Sequence, residues 1–165
     1  SMPLAFTYPL MKRYTYWPQL FLGITFNYGV LLGWTSITSD TIFLPIILYF
    51  GAIFWTLGYD TIYGFQDIKD GEIIGLKSTS IKFKSNPLIF LNTCYSIFYL
   101  TILVIGYLMN LNKFYYIFSL IVFLQIFFLQ IKKLDINKPE SCLKTFKSNN
   151  ILGLLVLINL MIGKL

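Results

Sequence analysis

The chain contains no histidine, and only 12% of its residues are charged. The first absence excludes histidine-based acid–base catalysis and histidine ligation of a metal. The second falls well below the roughly 25% expected of a soluble domain, so an ordinary soluble fold is excluded. Cysteine is scarce too. Cys94 sits in an apolar run and Cys142 in a polar stretch, which offers no metal-ligand spacing and no plausible disulfide. The first residues lack the order of a signal peptide, because Lys12 and Arg13 follow the first short apolar patch instead of preceding it. No tandem repeat is visible, and no run is of low complexity beyond its apolar bias.

What is present is hydrophobic: 56% of the 165 residues, with a mean hydropathy of +0.69. The apolar residues come in long runs rather than in helical or strand alternation, as in an integral membrane protein. The expectation is an all-α fold, a polytopic bundle of transmembrane helices forming one domain over residues 1–165. Its spans are expected at about 17–34, 41–59, 87–109, 114–131 and 149–163. Trp17 and Trp34 bracket the first span where an interfacial aromatic belt would sit. The last apolar run, Ile151–Ile162, is the weakest, since a dozen residues at about 1.5 Å each fall short of a hydrocarbon core about 30 Å thick. Ser1-Met2 reads as a start methionine behind one residue of a cleaved tag.

In a soluble protein the formal net charge of +6 would hint at nucleic acid. Here the positive-inside effect accounts for it, and no nucleic-acid partner is expected. Residues 1–16, 60–86 and 132–148 hold eleven of the basic residues, against Lys113 and Lys164 on the other side. That split places the N-terminus and residues 60–86 in the cytoplasm, with the C-terminus outside. The abundance of Ile, Asn, Lys and Phe points to an AT-rich genome, and the expected location is a bacterial inner membrane.

Four of the seven acidic residues fall between Asp60 and Glu72, directly after the second span. If the helix continued past Asp60, then Asp60, Tyr63, Asp67 and Asp70 would share a sector of roughly 80°. Carboxylates gathered on one face repel unless a cation offsets them. An oxygen-rich set of this kind suits Mg²⁺, which keeps several waters and shares its other positions with substrate phosphates. An ordinary solvated, charge-rich loop between apolar segments has the same composition.

Three stretches carry a resemblance. Tyr59-Asp-Thr-Ile-Tyr63-Gly-Phe-Gln66-Asp67-Ile-Lys-Asp70-Gly71, followed by Gly75-Leu-Lys77-Ser78-Thr79, resembles the second Asp-rich motif of the UbiA-type membrane prenyltransferases. More narrowly, it resembles the 4-hydroxybenzoate polyprenyltransferases of ubiquinone biosynthesis. Met11-Lys12-Arg13-Tyr14-Thr15-Tyr16-Trp17-Pro18-Gln19 resembles the entry to the family's fifth helix, and Cys142-Leu-Lys-Thr-Phe146-Lys-Ser-Asn149-Asn150-Ile-Leu-Gly153 the entry to its ninth. The chain thus corresponds to the last five of nine helices. The family's first motif, Asn-Asp-x-x-Asp-x-x-x-Asp, has no counterpart here. A second departure is Gly71, where the family usually has an aspartate after Asp70. Glu72 lies about 100° further round the helix and is a poor substitute.

The resemblance implies transfer of a polyprenyl group from its diphosphate to the ring of 4-hydroxybenzoate, with Mg²⁺ held by Asp-rich motifs. By that correspondence Asp67 and Asp70 are the metal ligands and Asp60 a supporting carboxylate. Tyr63 would steady an allylic cation through its ring face or orient an aspartate. Arg13 and Lys77 are candidates for the diphosphate or the aromatic acid, although positive-inside topology alone also explains them. The implied partners are polyprenyl diphosphate, 4-hydroxybenzoate, membrane lipid and a separate N-terminal half. This chain alone is expected to be inactive. The alternative is a non-catalytic membrane remnant of a decaying or truncated gene, which Gly71 favours.

Overall fold

Among the described residues, three helices begin at a proline, Pro18, Pro87 and Pro139. Proline suits that position because its missing N–H would have no intrahelical partner there. The computed structural model describes residues 10–38 and 42–165. Ser1-Met2, Asp40 and the expected start of the second span at Thr41 lie outside the described residues.

From Pro18 onward the helices in order are α1 (Pro18–Phe26), α2 (Gly29–Ile37), α3 (Phe43–Gly64), α4 (Ile68–Ile74), α5 (Thr79–Lys82), α6 (Pro87–Leu108), α7 (Lys113–Leu124) and α8 (Pro139–Lys164). A π-helical segment, Gln125–Ile131, continues α7. Among the described residues, five stretches are long and apolar enough to cross a membrane: Pro18–Ile37, Phe43–Gly64, Pro87–Leu108, Lys113–Ile131 and Pro139–Lys164.

The last of these corrects the expected 149–163 span. Residues 139–148, read from their polarity as connection, are helical, and α8 runs for 26 residues. Thr145 and Asn149 are buried there, while Glu140, Lys144 and Lys147 stay exposed. Asn149 Nδ2 donates to the Thr145 and Phe146 carbonyls at 3.1 Å each, and Gln130 Nε2 donates to Ser148 Oγ at 2.9 Å.

The core lies between α3, α6, α7 and α8, where Ile62, Leu91, Tyr95, Phe98, Tyr115 and Leu152 are buried. Small residues let the backbones approach. A Cβ on Gly51 would come within 2.7 Å of Thr101 on α6, the close-packed arrangement that membrane helices favour. The first span bends between α1 and α2, where Asn27 Nδ2 reaches Gly23 O at 2.8 Å, Ala52 O at 3.2 Å and Thr56 Oγ1 at 2.8 Å. That amide ties the bend to α3.

The helix expected to continue past Asp60 stops at Gly64. A Cβ at Gly64 would collide with Ser80 Oγ, so α3 ends where the segment after α4 crosses it. A short new helix, α4, then starts behind Asp67 and ends at Gly75, whose φ of 75° is left-handed and favours glycine. Leu76 N donates to Gly71 O at 2.9 Å and Gly75 N to Glu72 O at 3.2 Å, which closes the helix as a Schellman motif does.

Candidate functional site

Asp60 stands on the last turn of α3 and Tyr63 three residues on. Asp67 precedes α4, Asp70 lies in its first turn, and Lys77 is in the link to α5. Although no continuous helix joins them, all five line one cavity of about 350 Å³, with Lys12, Gln19 and Ser78. The chain doubles back at Gly64 and Gly75, and this turn performs the gathering that a single helical face was expected to perform. Arg13 is not on the wall. It is exposed, and its neighbour Lys12 takes the place facing the carboxylates.

The floor of the cavity is fixed by buried hydrogen bonds. Gln19 Oε1, 3% exposed, accepts from Thr79 N at 3.1 Å. The Thr61 hydroxyl donates to Leu57 O at 2.6 Å, so in its 2.6 Å contact with Thr79 Oγ1 it is Thr79 that donates. Ser80 Oγ donates to Thr61 O at 2.9 Å. Lys77 N donates to Lys12 O at 2.8 Å, which brings the two lysines side by side on the chain. The Lys77 ammonium reaches Tyr14 O at 3.4 Å and lies 5.7 Å from the Tyr16 ring centre.

Among the described residues Asp60, Asp67 and Asp70 form no ion pair and no side-chain hydrogen bond. No three acidic groups there come close enough to form a cage for a metal ion. The wall therefore carries three carboxylates without an ion-pair partner, and Lys12 and Lys77 line the same cavity. Such a set can receive a polyanion together with a divalent cation, the cation using one or two carboxylates and completing its shell from the polyanion.

A second cavity of about 260 Å³ lies beyond Tyr63, whose ring meets that of Phe146 with centres 4.8 Å apart. Phe146, Tyr59 and Trp55 give it an aromatic lining, and Asn149 and Lys147 a polar one. Asn149 Oδ1 accepts from Trp55 Nε1 at 2.9 Å and from Tyr95 OH at 3.3 Å. Sequence reasoning did not single out Lys12, Gln19, Ser78 or this second lining. Gln19 carried a signal, being a polar residue just inside an apolar span. Asn149 and Asn150 carried another, as paired amides ahead of the last apolar run.

Residues 1–154 match the model of the UbiA prenyltransferase family. The 4-hydroxybenzoate polyprenyltransferases, mitochondrial, of Bos taurus and Homo sapiens are each 44% identical over 169 residues, covering all of this chain and 44% of those proteins. The 4-hydroxybenzoate geranyltransferase 2 of Lithospermum erythrorhizon is 38% identical over 168 residues, covering 99% of this chain and 54% of that protein. The chain thus spans about half the length of the relatives it matches, or somewhat less. No solved structure shows a significant match. The mitochondrial relatives overturn the expected bacterial inner membrane. Codon-driven amino-acid bias reports the base composition of a genome, and it is not particular to bacteria.

Proposed function

Because the chain belongs to the UbiA prenyltransferase family, we propose that it supplies the diphosphate-binding part of a 4-hydroxybenzoate polyprenyltransferase in a mitochondrial membrane. The observation that carries this reading is the single cavity lined by Asp60, Asp67 and Asp70 together with Lys12 and Lys77.

Asp67 and Asp70 would hold Mg²⁺, which when bound supplies Lewis-acid neutralisation of the diphosphate. The open, uncaged carboxylates fit an ion that is shared with substrate oxygens. Lys12 and Lys77 take the remaining phosphate charge, and the hydrogen bond between their backbones keeps them together as it is released. Asp60 supports the wall from α3. In the transfer, the C–O bond to the diphosphate breaks and the diphosphate leaves with the electron pair. The allylic carbon then bonds to a ring carbon of the acceptor, which gives up its proton to water. Tyr63, between the two cavities, presents its ring where that cation forms. The second cavity has aromatic faces for the acceptor ring, and Lys147 for its carboxylate.

A second reading, a family member without turnover, draws on Gly71. Its backbone is not left-handed, and the nearest atom to an added Cβ is Ile81 Cδ1 at 3.7 Å. Glycine is thus not required there, and its presence is a change of chemistry rather than a demand of the fold.

A chimera separates the two. The matched segment of the human relative is replaced by residues 1–165, and prenylation of 4-hydroxybenzoate is assayed in membranes. The proposal expects product that depends on Mg²⁺ and on Asp67. A chimera that inserts normally but forms no product overturns it in favour of the second reading.

A further inference from the structure

On the lysine-rich side of the membrane, a third cavity of about 380 Å³ opens between the π-helical end of the fourth span and the first turns of α8. Leu129 forms its apolar side, and Lys133, Lys138, Glu140, Ser141 and Lys144 its polar side. We infer that it binds the phosphodiester headgroup of an anionic glycerophospholipid. This inference is independent of the prenyl-transfer reading and shares no residue with the Asp-lined cavity.

At about 1.5 Å per residue, the 26 residues of α8 outreach a hydrocarbon core about 30 Å thick. Its apolar run begins only at Ile151, so the turns carrying Glu140, Ser141 and Lys144 stand in the headgroup layer. Leu129 faces the same cavity and offers acyl chains an apolar wall.

Positive-inside topology explains why residues 132–147 are basic, but not why the lysines divide as they do. Lys132 lies over the Phe128 ring at 5.4 Å, and Lys147 lines the aromatic cavity. Lys133, Lys138 and Lys144 converge on this one.

The charge balance defines the ligand. Lys138 is paired with Asp135 at 3.3 Å. Asp135 is ionised at neutral pH as an ordinary carboxylate is, and the Asn137 N–H and Lys138 hold it further below its usual range. With Asp135 and Glu140 set against the three lysines, one net positive charge remains. That matches a singly charged phosphodiester better than a doubly charged free phosphate. Ser141 Oγ accepts from Asp135 N at 3.0 Å and keeps its own proton to donate.

The test is native mass spectrometry of the full 165-residue chain in detergent, titrated with phosphatidylglycerol, with phosphatidylcholine and with inorganic phosphate. Phosphatidylglycerol should be retained preferentially. The double variant Lys133→Gln/Lys144→Gln should lower its apparent affinity about thirtyfold, from roughly fivefold per lysine. The control Lys69→Gln/Lys132→Gln removes the same charge elsewhere on that side and should change little. Should the double variant fail to fold, Lys144→Gln alone should still show about a fivefold loss. Equal losses in test and control pairs would mean diffuse surface charge and overturn the site. So would indifference between the two lipids, or full displacement of the lipid by inorganic phosphate.

Discussion

Lys84 Nζ holds both carboxylate oxygens of Glu72, at 2.9 and 2.8 Å. Of the four acids between Asp60 and Glu72, the one with a partner is the one that does not face the cavity. Glu72 therefore does not stand in for the carboxylate missing at Gly71. The pair itself is exposed, and exposed pairs contribute about 0–1 kcal/mol. Lys84→Met should leave diphosphate binding unchanged.

Gly71→Asp should strengthen Mg²⁺-dependent diphosphate binding. Gly71 lines the cavity beside Asp70, its backbone is not left-handed, and only Ile81 Cδ1 lies near an added Cβ. Folding should be unaffected. Isothermal titration of the variant at several Mg²⁺ concentrations checks this, and an unchanged Mg²⁺ requirement would show that position 71 does not face the metal.

Gln19→Ala should loosen the floor. It leaves the buried Thr79 N–H without its acceptor, at a cost of about 1–3 kcal/mol. It also frees the segment that carries Lys77. A lowered thermal midpoint together with weaker diphosphate binding is expected, and loss of stability with binding intact would disconnect the floor from the site.

Asn159→Leu should raise the thermal midpoint. Asn159 is fully buried on α8, and neither Nδ2 nor Oδ1 has a partner among the described residues. An unsatisfied buried amide costs on the order of 1–3 kcal/mol, which an apolar side chain of similar volume removes. A lowered midpoint would reveal a partner for that amide.

The lysine-rich connections should share one side of the membrane. Cys94 and Cys142 are buried and give little background to an impermeant thiol reagent. In sealed vesicles, cysteines replacing Lys82 and Lys133 should label from the same side, and one replacing Lys113 from the other. Labelling of Lys82→Cys and Lys133→Cys from opposite sides would break the five-span arrangement.

The spans were legible because sustained apolar runs have few other solutions. The short last run misled because α8 buries polar residues such as Asn149 against other helices, which hydropathy counts as connection. Helical projection placed Asp60, Tyr63, Asp67 and Asp70 together by a route the chain does not take. It could not see that Gly64 packs beneath Ser80, a contact between residues sixteen positions apart. The choice of Lys12 over Arg13 depends on the backbone bond from Lys77 to Lys12, which neighbouring basic residues do not encode in their spacing.

The central claim is that the Asp-lined cavity takes a diphosphate together with Mg²⁺. Equilibrium binding of geranyl diphosphate to the purified chain, with and without Mg²⁺, tests it most directly. Binding should require Mg²⁺, disappear in Asp67→Asn and persist in Arg13→Gln, since Arg13 lies off the wall. Binding that is indifferent to Mg²⁺, or equal in Asp67→Asn and the unaltered chain, would contradict it.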